Sequence, residues 1–451
     1  MTAWTAARVR EALELPAAPG EGATFTRVLT DTRAIVPGAL FVALAGERYD
    51  GHDYLDDAAA AGAIAAVVRQ GTVVPSPMVA FEVPDTLRAF GLLARARRRA
   101  LTGPVVAITG TNGKTSTKEM LAAVLGTRYR VYATRANLNN LVGVPTTILE
   151  APEDTEAMVV EAGANLPGEV ARYREIIEPS LTIVTNAVAG HLEGFGSLAG
   201  VVAEKLALTD GVPLAIVGTD PPGLAAGARE RARAVRTAGL HAGELMPDRV
   251  DLGADARPVL TFGGITFTLA VRGLHQADNA VRVWAVVEAL GLDRDQAARA
   301  LERFSIPGGR GDLLEQGGLT ILNDCYNANP QSFRAAIQTA RALRGRRRLV
   351  FIAGTMRELG ADAPALHAEI AAELVALEPD LLAVVGDFVP ALAPYAARLG
   401  DRLLSAPDPL VLGPLVAARL EGGDIVVLKA SRGVALERIL PALTTRATTP
   451  R

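Results

Sequence analysis

The stretch Val105-Val106-Ala107-Ile108-Thr109-Gly110-Thr111-Asn112-Gly113-Lys114-Thr115-Ser116 constrains this chain more than any other. A short apolar run rich in β-branched residues enters a glycine turn, meets Lys-Thr-Ser, and continues as a helical pattern. In that pattern Met120, Leu121, Val124 and Leu125 share a face, and Gly126 is placed to stop the helix. Strand, glycine turn and helix start, in that order, build an anion site. The glycines let backbone N–H groups close around phosphate, while the first helical turn adds orphan donors and the positive end of the helix dipole. Lys114 is placed to reach outer phosphates, and the Thr115 hydroxyl to ligate magnesium. The general nucleotide loop has Gly where this chain has Ile108, so the spacing Gly-x-x-Gly-Lys-Thr-Ser fits a shorter variant instead. An ordinary turn with a surface lysine is the competing reading, and the strand and helix on either side count against it.

At 451 residues the chain is too long for one core and predicts about three domains. The net charge of −3 gives no electrostatic case for nucleic acid or for an anionic membrane. Two arginine clusters (Arg95 with Arg97 to Arg99, and Arg344 with Arg346 to Arg348) end helical patterns without interleaved aromatics, and read as solvated helix ends. Cys325 is the only cysteine, which rules out an intrachain disulfide and fits a reducing compartment. With no signal peptide and no long apolar span, the expected location is the cytoplasm, and the expected state a monomer.

The pattern divides as residues 1–102, 103–307 and 308–451. Strands are expected in the first unit at 25–29, 40–44, 63–68 and 78–81, with a helix near 54–61 and another from Asp85 through Arg99. Thr30-Asp31-Thr32-Arg33 follows one strand, and a loop containing Glu47, Asp50, Gly51 and His52 follows the next. Strand ends are natural ligand sites, yet Asp, Thr and Gly are also ordinary turn residues; both readings stand on local chemistry. In the second unit, strands at 157–160, 181–184 and 214–217 alternate with helices, which argues for a mainly parallel sheet. Glu161, Asn186 and Asp220 sit just past strand ends. Glu161 falls where a carboxylate can share magnesium with Thr115. His191 is either a packing residue or a metal ligand. Residues 259–269 read as a hairpin turning at Gly263-Gly264, and Asn279, in the helix that follows, either reads a base or caps. The third unit repeats the βα rhythm, with strands at 319–322, 349–352, 382–385 and 425–428 and helices at 331–343, 364–377 and 409–420. Polar groups again follow the strands, around Asp324 to Pro330, Gly354 to Gly360, and Lys429 to Gly433. Three such units suggest a site shared across domain clefts.

Taken together and in order, these stretches resemble the Mur ligases, ATP-dependent amide-forming enzymes of peptidoglycan synthesis, over essentially the whole chain. The resemblance rests on Thr109 to Ser116, Asn137-Leu138-Asn139-Asn140, Glu161-Ala162-Gly163-Ala164-Asn165, His191 to Gly200, and Asp324-Cys325-Tyr326-Asn327-Ala328-Asn329-Pro330. It implies an α/β fold of three domains: a UDP-sugar-binding first unit, a central ATP-binding unit with a mainly parallel sheet, and a Rossmann-like C-terminal unit. By the same resemblance Gly110, Thr111, Asn112, Gly113, Lys114, Thr115 and Ser116 hold ATP, with Asn279, Arg310, Asp324, Tyr326 and Asn329 docking it. Thr115, Glu161 and His191 would hold magnesium, in a pair of ions. Lys205 resembles a lysine that family members carbamylate, although Ala207 stands where an acidic residue is common. Thr30, Asp31, Thr32, Arg33, Glu47, Asp50, Gly51 and His52 resemble the UDP-sugar site. Asn137, Asn139, Asn140 and Thr147 resemble groups meeting a muramoyl tripeptide, and Lys429, Ser431 and Arg432 face the reacting centre or incoming amine. Lys114, Lys205, His191 and Glu161 carry the expected catalysis. Within the family the likeness is to the branch joining D-alanyl-D-alanine to UDP-N-acetylmuramoyl-tripeptide through an acyl phosphate. A sibling adding one amino acid, a folyl-polyglutamate-type ligase and a non-catalytic ATP switch are the rivals.

Overall fold

The computed structural model describes residues 4–17, 22–46, 49–190, 192–306 and 308–445. Three sheets dominated by parallel pairing carry the chain, each built on the short apolar runs of the sequence. In the first, Val28–Leu29, Ala39–Val42, Ala63–Arg69 and Val79–Val83 lie side by side. The strand expected over 25–29 is two strands. Thr24–Phe25 pairs antiparallel with Trp4–Thr5, and only Val28–Leu29 enters the sheet. The helix expected near 54–61 is a 3₁₀ turn, Gly51–Tyr54, leading into an α-helix, Leu55–Ala60. Asp85 caps the helix Thr86–Arg98, its carboxylate accepting from the N–H groups of Leu87 and Arg88.

That helix fastens the first unit to the second, which corrects the reading of its arginines as solvated. Arg95 and Arg99 bind the Glu178 carboxylate, while Arg98 donates to the carbonyls of Ile177 and Glu178, just past the helix Glu169–Ile177. Arg97 reaches the carbonyls of Ala151 and Pro152. The second cluster behaves alike: Arg344 binds the carbonyls of Leu377 and Glu378 and the Asp380 carboxylate, and Arg348 pairs with Glu421 and Asp424. A planar guanidinium satisfies several orphan helix carbonyls at once, so a cation at one helix end serves a neighbouring helix as well as its own.

The central sheet is wholly parallel, in the order Val235–Thr237, Leu214–Val217, Leu181–Val184, Val105–Thr109, Ala157–Glu161, Val131–Ala133. Both edge strands and the helix Gly143–Glu150 had no clear signal in the sequence. The neighbours Val105–Thr109 and Leu181–Val184 send their following connections to opposite sides, which opens a crevice at their carboxyl ends. The hairpin turns at Gly263 (φ +52°) and Gly264 (φ +85°) as expected, and Arg249–Leu252 adds a third antiparallel strand. Phe262 and Phe267 stack on Trp284 of the helix Leu274–Ala289, with ring centroids 4.9 and 5.2 Å apart. The hairpin thereby shares the central core.

In the third unit the antiparallel edge strand Asp312–Gln316 precedes five parallel ones: Leu319–Asp324, Ile425–Lys429, Leu349–Ala353, Leu381–Val385 and Leu403–Ala406. Among the described residues no helix is long and apolar enough to cross a membrane.

Candidate active site

The strand Val105–Thr109 is buried along its length, as suits a central parallel strand, and it delivers the glycine loop to the crevice. Gly113 has φ +81°, and a Cβ there would overlap the Asn279 amide; the loop therefore needs glycine for both backbone shape and space. The neighbouring strand end holds the loop in place. Thr111 N–H donates to the Asn186 carbonyl at 3.0 Å, Asn112 N–H donates to Asn186 Oδ1 at 2.9 Å, and the Thr185 hydroxyl donates to the Asn112 carbonyl at 2.6 Å. Lys114 Nζ curls back to donate to the carbonyls of Gly110 (2.7 Å) and Thr111 (3.1 Å). Enclosure lowers its pKa, Glu161 opposes that shift, and Arg310 adds to it. An anion between Lys114 and Arg310 would favour the charged form of the lysine again.

Glu161 closes the strand Ala157–Glu161 and is 2% exposed. Its carboxylate accepts from the Thr115 hydroxyl at 2.9 Å and from the Asn139 amide at 2.8 Å. A buried carboxylate and a hydroxyl in mutual contact beside a phosphate loop are two of the oxygen donors that a hard divalent cation takes, with phosphate and water left to supply the rest. Lys205, on the helix Leu198–Leu206, is 1% exposed, and its Nζ lies 5.2 Å from the Phe195 ring centroid. Among the described residues it has no hydrogen-bonded partner, and burial, with Lys114 nearby, lowers its pKa to about 7. His191 and Glu47 lie outside the described residues.

The third unit faces the loop across the cleft. Lys429 Nζ donates to the Asp324 carboxylate at 2.7 Å and to the Asn327 carbonyl at 2.8 Å. Arg310 stacks on Tyr326 at 3.5 Å from the ring centroid, with Arg432 at 5.1 Å. Asn329 caps the helix Pro330–Arg344 and also donates to the Asn112 side chain at 2.7 Å. Between the two units lies a cavity of about 740 Å³, large enough for a nucleotide. Thr111 to Ser116, Asn139, Asn140, Glu161, Asn279, Arg310, Asp324, Tyr326, Asn329 and Lys429 all line it.

Other expected residues lie elsewhere. Asn137 does not line the cavity. Thr147 is buried in its helix, its hydroxyl donating to the Gly143 carbonyl. Ser431 sits behind the cavity wall, where its hydroxyl accepts the Arg357 N–H. None of Thr30, Asp31, Thr32, Arg33, Asp50, Gly51 or His52 lines the cavity. In the first unit Asp31 binds Arg33 through backbone and guanidinium, and Asp50 binds both His52 and Arg69. Conversely, His275 and Gln331 line the cavity without having been singled out as site residues. His275 stands in the first turn of the helix Leu274–Ala289, and nothing in the sequence marks Gln331, whose importance arises from what it meets across the cleft.

Three family models match in turn along the chain. The family model described as Mur ligase family, catalytic domain matches residues 24–98, the Mur ligase middle domain 108–287, and the Mur ligase, glutamate ligase domain 309–432. UDP-N-acetylmuramoyl-tripeptide--D-alanyl-D-alanine ligase of Bacillus subtilis is 34% identical over 92% of both chains. The Escherichia coli enzyme of that name is 34% identical over 94% of this chain and 95% of its own. Among solved structures, MurF from Acinetobacter baumannii is 27% identical with a TM-score of 0.87, covering 98% of this chain and 99% of its own. MurF ligase from Thermotoga maritima in complex with ADP is 27% identical with a TM-score of 0.82, covering 93% of this chain and 97% of its own. A phosphate loop facing a C-terminal unit across one cleft, matched along nearly the whole chain, leaves one conclusion: this chain belongs to the Mur ligase family.

Proposed function

We infer that this chain is an ATP-dependent carboxylate–amine ligase that joins D-alanyl-D-alanine to UDP-N-acetylmuramoyl-tripeptide, forming ADP and phosphate. The observation that carries the reading is the single cavity in which Lys114, the Thr115–Glu161 pair and the Asp324–Lys429 pair converge from two units. The relatives named above supply the substrates. The units 1–102, 103–307 and 308–451 then divide the work as UDP-sugar, ATP and amine-side domains.

A carboxylate is a poor electrophile. The tripeptide carboxylate oxygen attacks the γ-phosphorus of ATP, the bond to ADP breaks, and an acyl phosphate forms. Lys114 and the loop N–H groups stabilise the charge that gathers on the transferred phosphoryl group. Thr115 and Glu161, with His191, are the residues to hold magnesium, which when bound neutralises phosphate charge. The neutral amine of the dipeptide attacks the acyl carbon, and phosphate leaves from the tetrahedral intermediate. Arg310, held flat on Tyr326, is positioned by stacking to meet phosphate oxygens. Lys205, buried and without a hydrogen-bonded partner among the described residues, has, with its pKa lowered to about 7, the free amine that carbon dioxide needs to form a carbamate. The N–C bond forms, the amine proton leaves, and a buried cation becomes an anion. Thr30 to Arg33 and Asp50 to His52 serve the UDP-sugar, and Asn137, Asn139 and Asn140 the peptide; Thr147, buried in its helix, supports that segment from behind. Lys429 and Arg432 face the amine side, and Ser431 backs the wall between them. The enzyme works in the cytoplasm as a monomer.

Phosphate release measured with several UDP-muramoyl acceptors, offering D-alanyl-D-alanine against single amino acids, tests the reading. Turnover with the dipeptide, at one phosphate per product, is expected. Equal turnover with a single amino acid, or stoichiometric ATP cleavage with no amine present, would overturn it.

A further inference from the structure

The phosphate loop is held from behind by its own sheet and from in front by the other unit. Asn112 Nδ2 donates to Gln331 Oε1 at 2.7 Å and to Asn329 Oδ1 at 3.2 Å, and Asn329 Nδ2 donates to Asn112 Oδ1 at 2.7 Å. Gln331 Nε2 in turn donates to Asp220 Oδ2 at 2.7 Å. Asp220 belongs to the central unit, at the turn that follows the strand Leu214–Val217. Gln331 therefore bridges two separate points of the central unit from the first turn of the C-terminal helix Pro330–Arg344. Asn112 is the residue whose backbone N–H and carbonyl are already fixed by Asn186 and Thr185. Its side chain is the part left for the other unit to grip.

We propose that Gln331 is a positioning residue that couples docking of the C-terminal unit to the shape of the phosphate loop. The inference rests on the ligase reading and deepens it: the ATP site is finished by the contact between units, and Asp220 is the second anchor of that contact. An amide suits this position because it accepts on one side and donates on the other. Leucine would match the size of Gln331 and lose both bonds. Glutamate would keep the bond from Asn112 but set a carboxylate against the Asp220 carboxylate.

The test uses the full chain and three forms: Gln331→Leu, Gln331→Glu, and Gln331→Glu combined with Asp220→Asn. In the double variant the Asp220→Asn amide donates to the new carboxylate, so the bridge is rebuilt with its second bond reversed. Kinetics with ATP, acceptor and dipeptide are measured alongside ADP affinity by calorimetry and the unfolding midpoint. Both single variants should raise KM for ATP and weaken ADP by roughly tenfold, as expected for one or two lost polar contacts, with KM for the acceptor within about twofold of the parent. The double variant should recover to within about threefold of the parent.

Single variants that leave ATP and ADP binding unchanged would overturn the proposal. So would a Gln331→Glu defect that Asp220→Asn fails to correct, because a direct contact between Gln331 and nucleotide would not be restored by a change at Asp220. If a single variant melts early, recovery of nucleotide affinity in the double variant, or its absence, still decides. Should the parent make no dipeptide product, the ligase reading fails, while the ADP titrations continue to report on the bridge.

Discussion

At the scale of single residues, Gly113 and Lys205 make the sharpest claims. Gly113→Ala puts a Cβ at φ +81° against the Asn279 amide, which is itself buried. Stability should fall by about 1–3 kcal/mol from backbone strain alone, and ADP affinity by at least about tenfold, since the N–H groups of the loop no longer converge. Urea unfolding and calorimetry read the two effects separately; intact ADP affinity would show that the loop tolerates another shape. Lys205 gives a pH signature. Its folded pKa of about 7 lies below the ordinary lysine value, so from about pH 7 to 10 the unfolded chain binds the extra proton and stability rises with pH. In carbon-dioxide-free buffer the urea midpoint should climb over that range, and Lys205→Met should flatten the climb. With bicarbonate present, a carbamate should appear by carbon-13 NMR in the parent and be missing from the variant. A midpoint that ignores pH would mean the ammonium finds a partner in solution. The phosphate loop was legible in the sequence because its residues are contiguous and their chemistry is local. Gln331 was not, because it matters only through Asn112 and Asp220, which lie 219 and 111 positions away.

At the scale of elements, legibility followed burial. Strands such as Val105–Thr109 and Leu349–Ala353 are covered on both faces and read as plain apolar runs. The edges Val131–Ala133 and Val235–Thr237 are short, and Asp312–Gln316 is partly exposed along its length, so neither periodicity nor hydrophobicity separates them from loops. The arginine clusters were misread for a related reason: a cation at a helix end has the same sequence signature whether it faces water or another helix. The seam they form is testable at Glu178, whose φ of +40° is strained for a side chain while its carboxylate holds two guanidiniums. Both pairs are partly exposed, so screening limits the loss in Glu178→Ala to about 1–2 kcal/mol. Glu178→Gly loses the same pairs but relieves the strain, and should be more stable than the alanine variant by about 1 kcal/mol. Arg99, then Arg95, hold the carboxyl below its ordinary range. The advantage of the parent is therefore full above the ordinary glutamate value and fades as the pH falls through the lowered one. Urea midpoints of the three proteins across the acid range check the order and the trend.

At the scale of the whole molecule, the first unit is tied to the second by the arginine seam, and the third meets the second through polar side chains around Asn112 and through Ala256, which is buried in the third unit's core. The cavity lies between the second and third units, yet Asp31, Arg33, Asp50 and His52 lie outside it. An extended tripeptide spans about 10 Å, and closing of the units around an acceptor held by the first would carry its carboxylate toward Lys114. Closure predicts a measurable shortening. Asp57 in the first unit and Arg346 in the third are both exposed and stand apart from the cavity lining. Spin labels placed by Asp57→Cys and Arg346→Cys should report it. Cys325 does not compete for the label, because it is buried and burial pushes its thiol pKa up. With UDP-N-acetylmuramoyl-tripeptide and a non-hydrolysable ATP analogue together, the distance distribution should narrow and move inward; with either alone it should stay broad, because each ligand then grips one side of the cleft. An unchanged distribution under all conditions would mean that the arrangement seen in the structure is the working one, and that the acceptor binds along the seam instead of at the Arg33 and His52 loops.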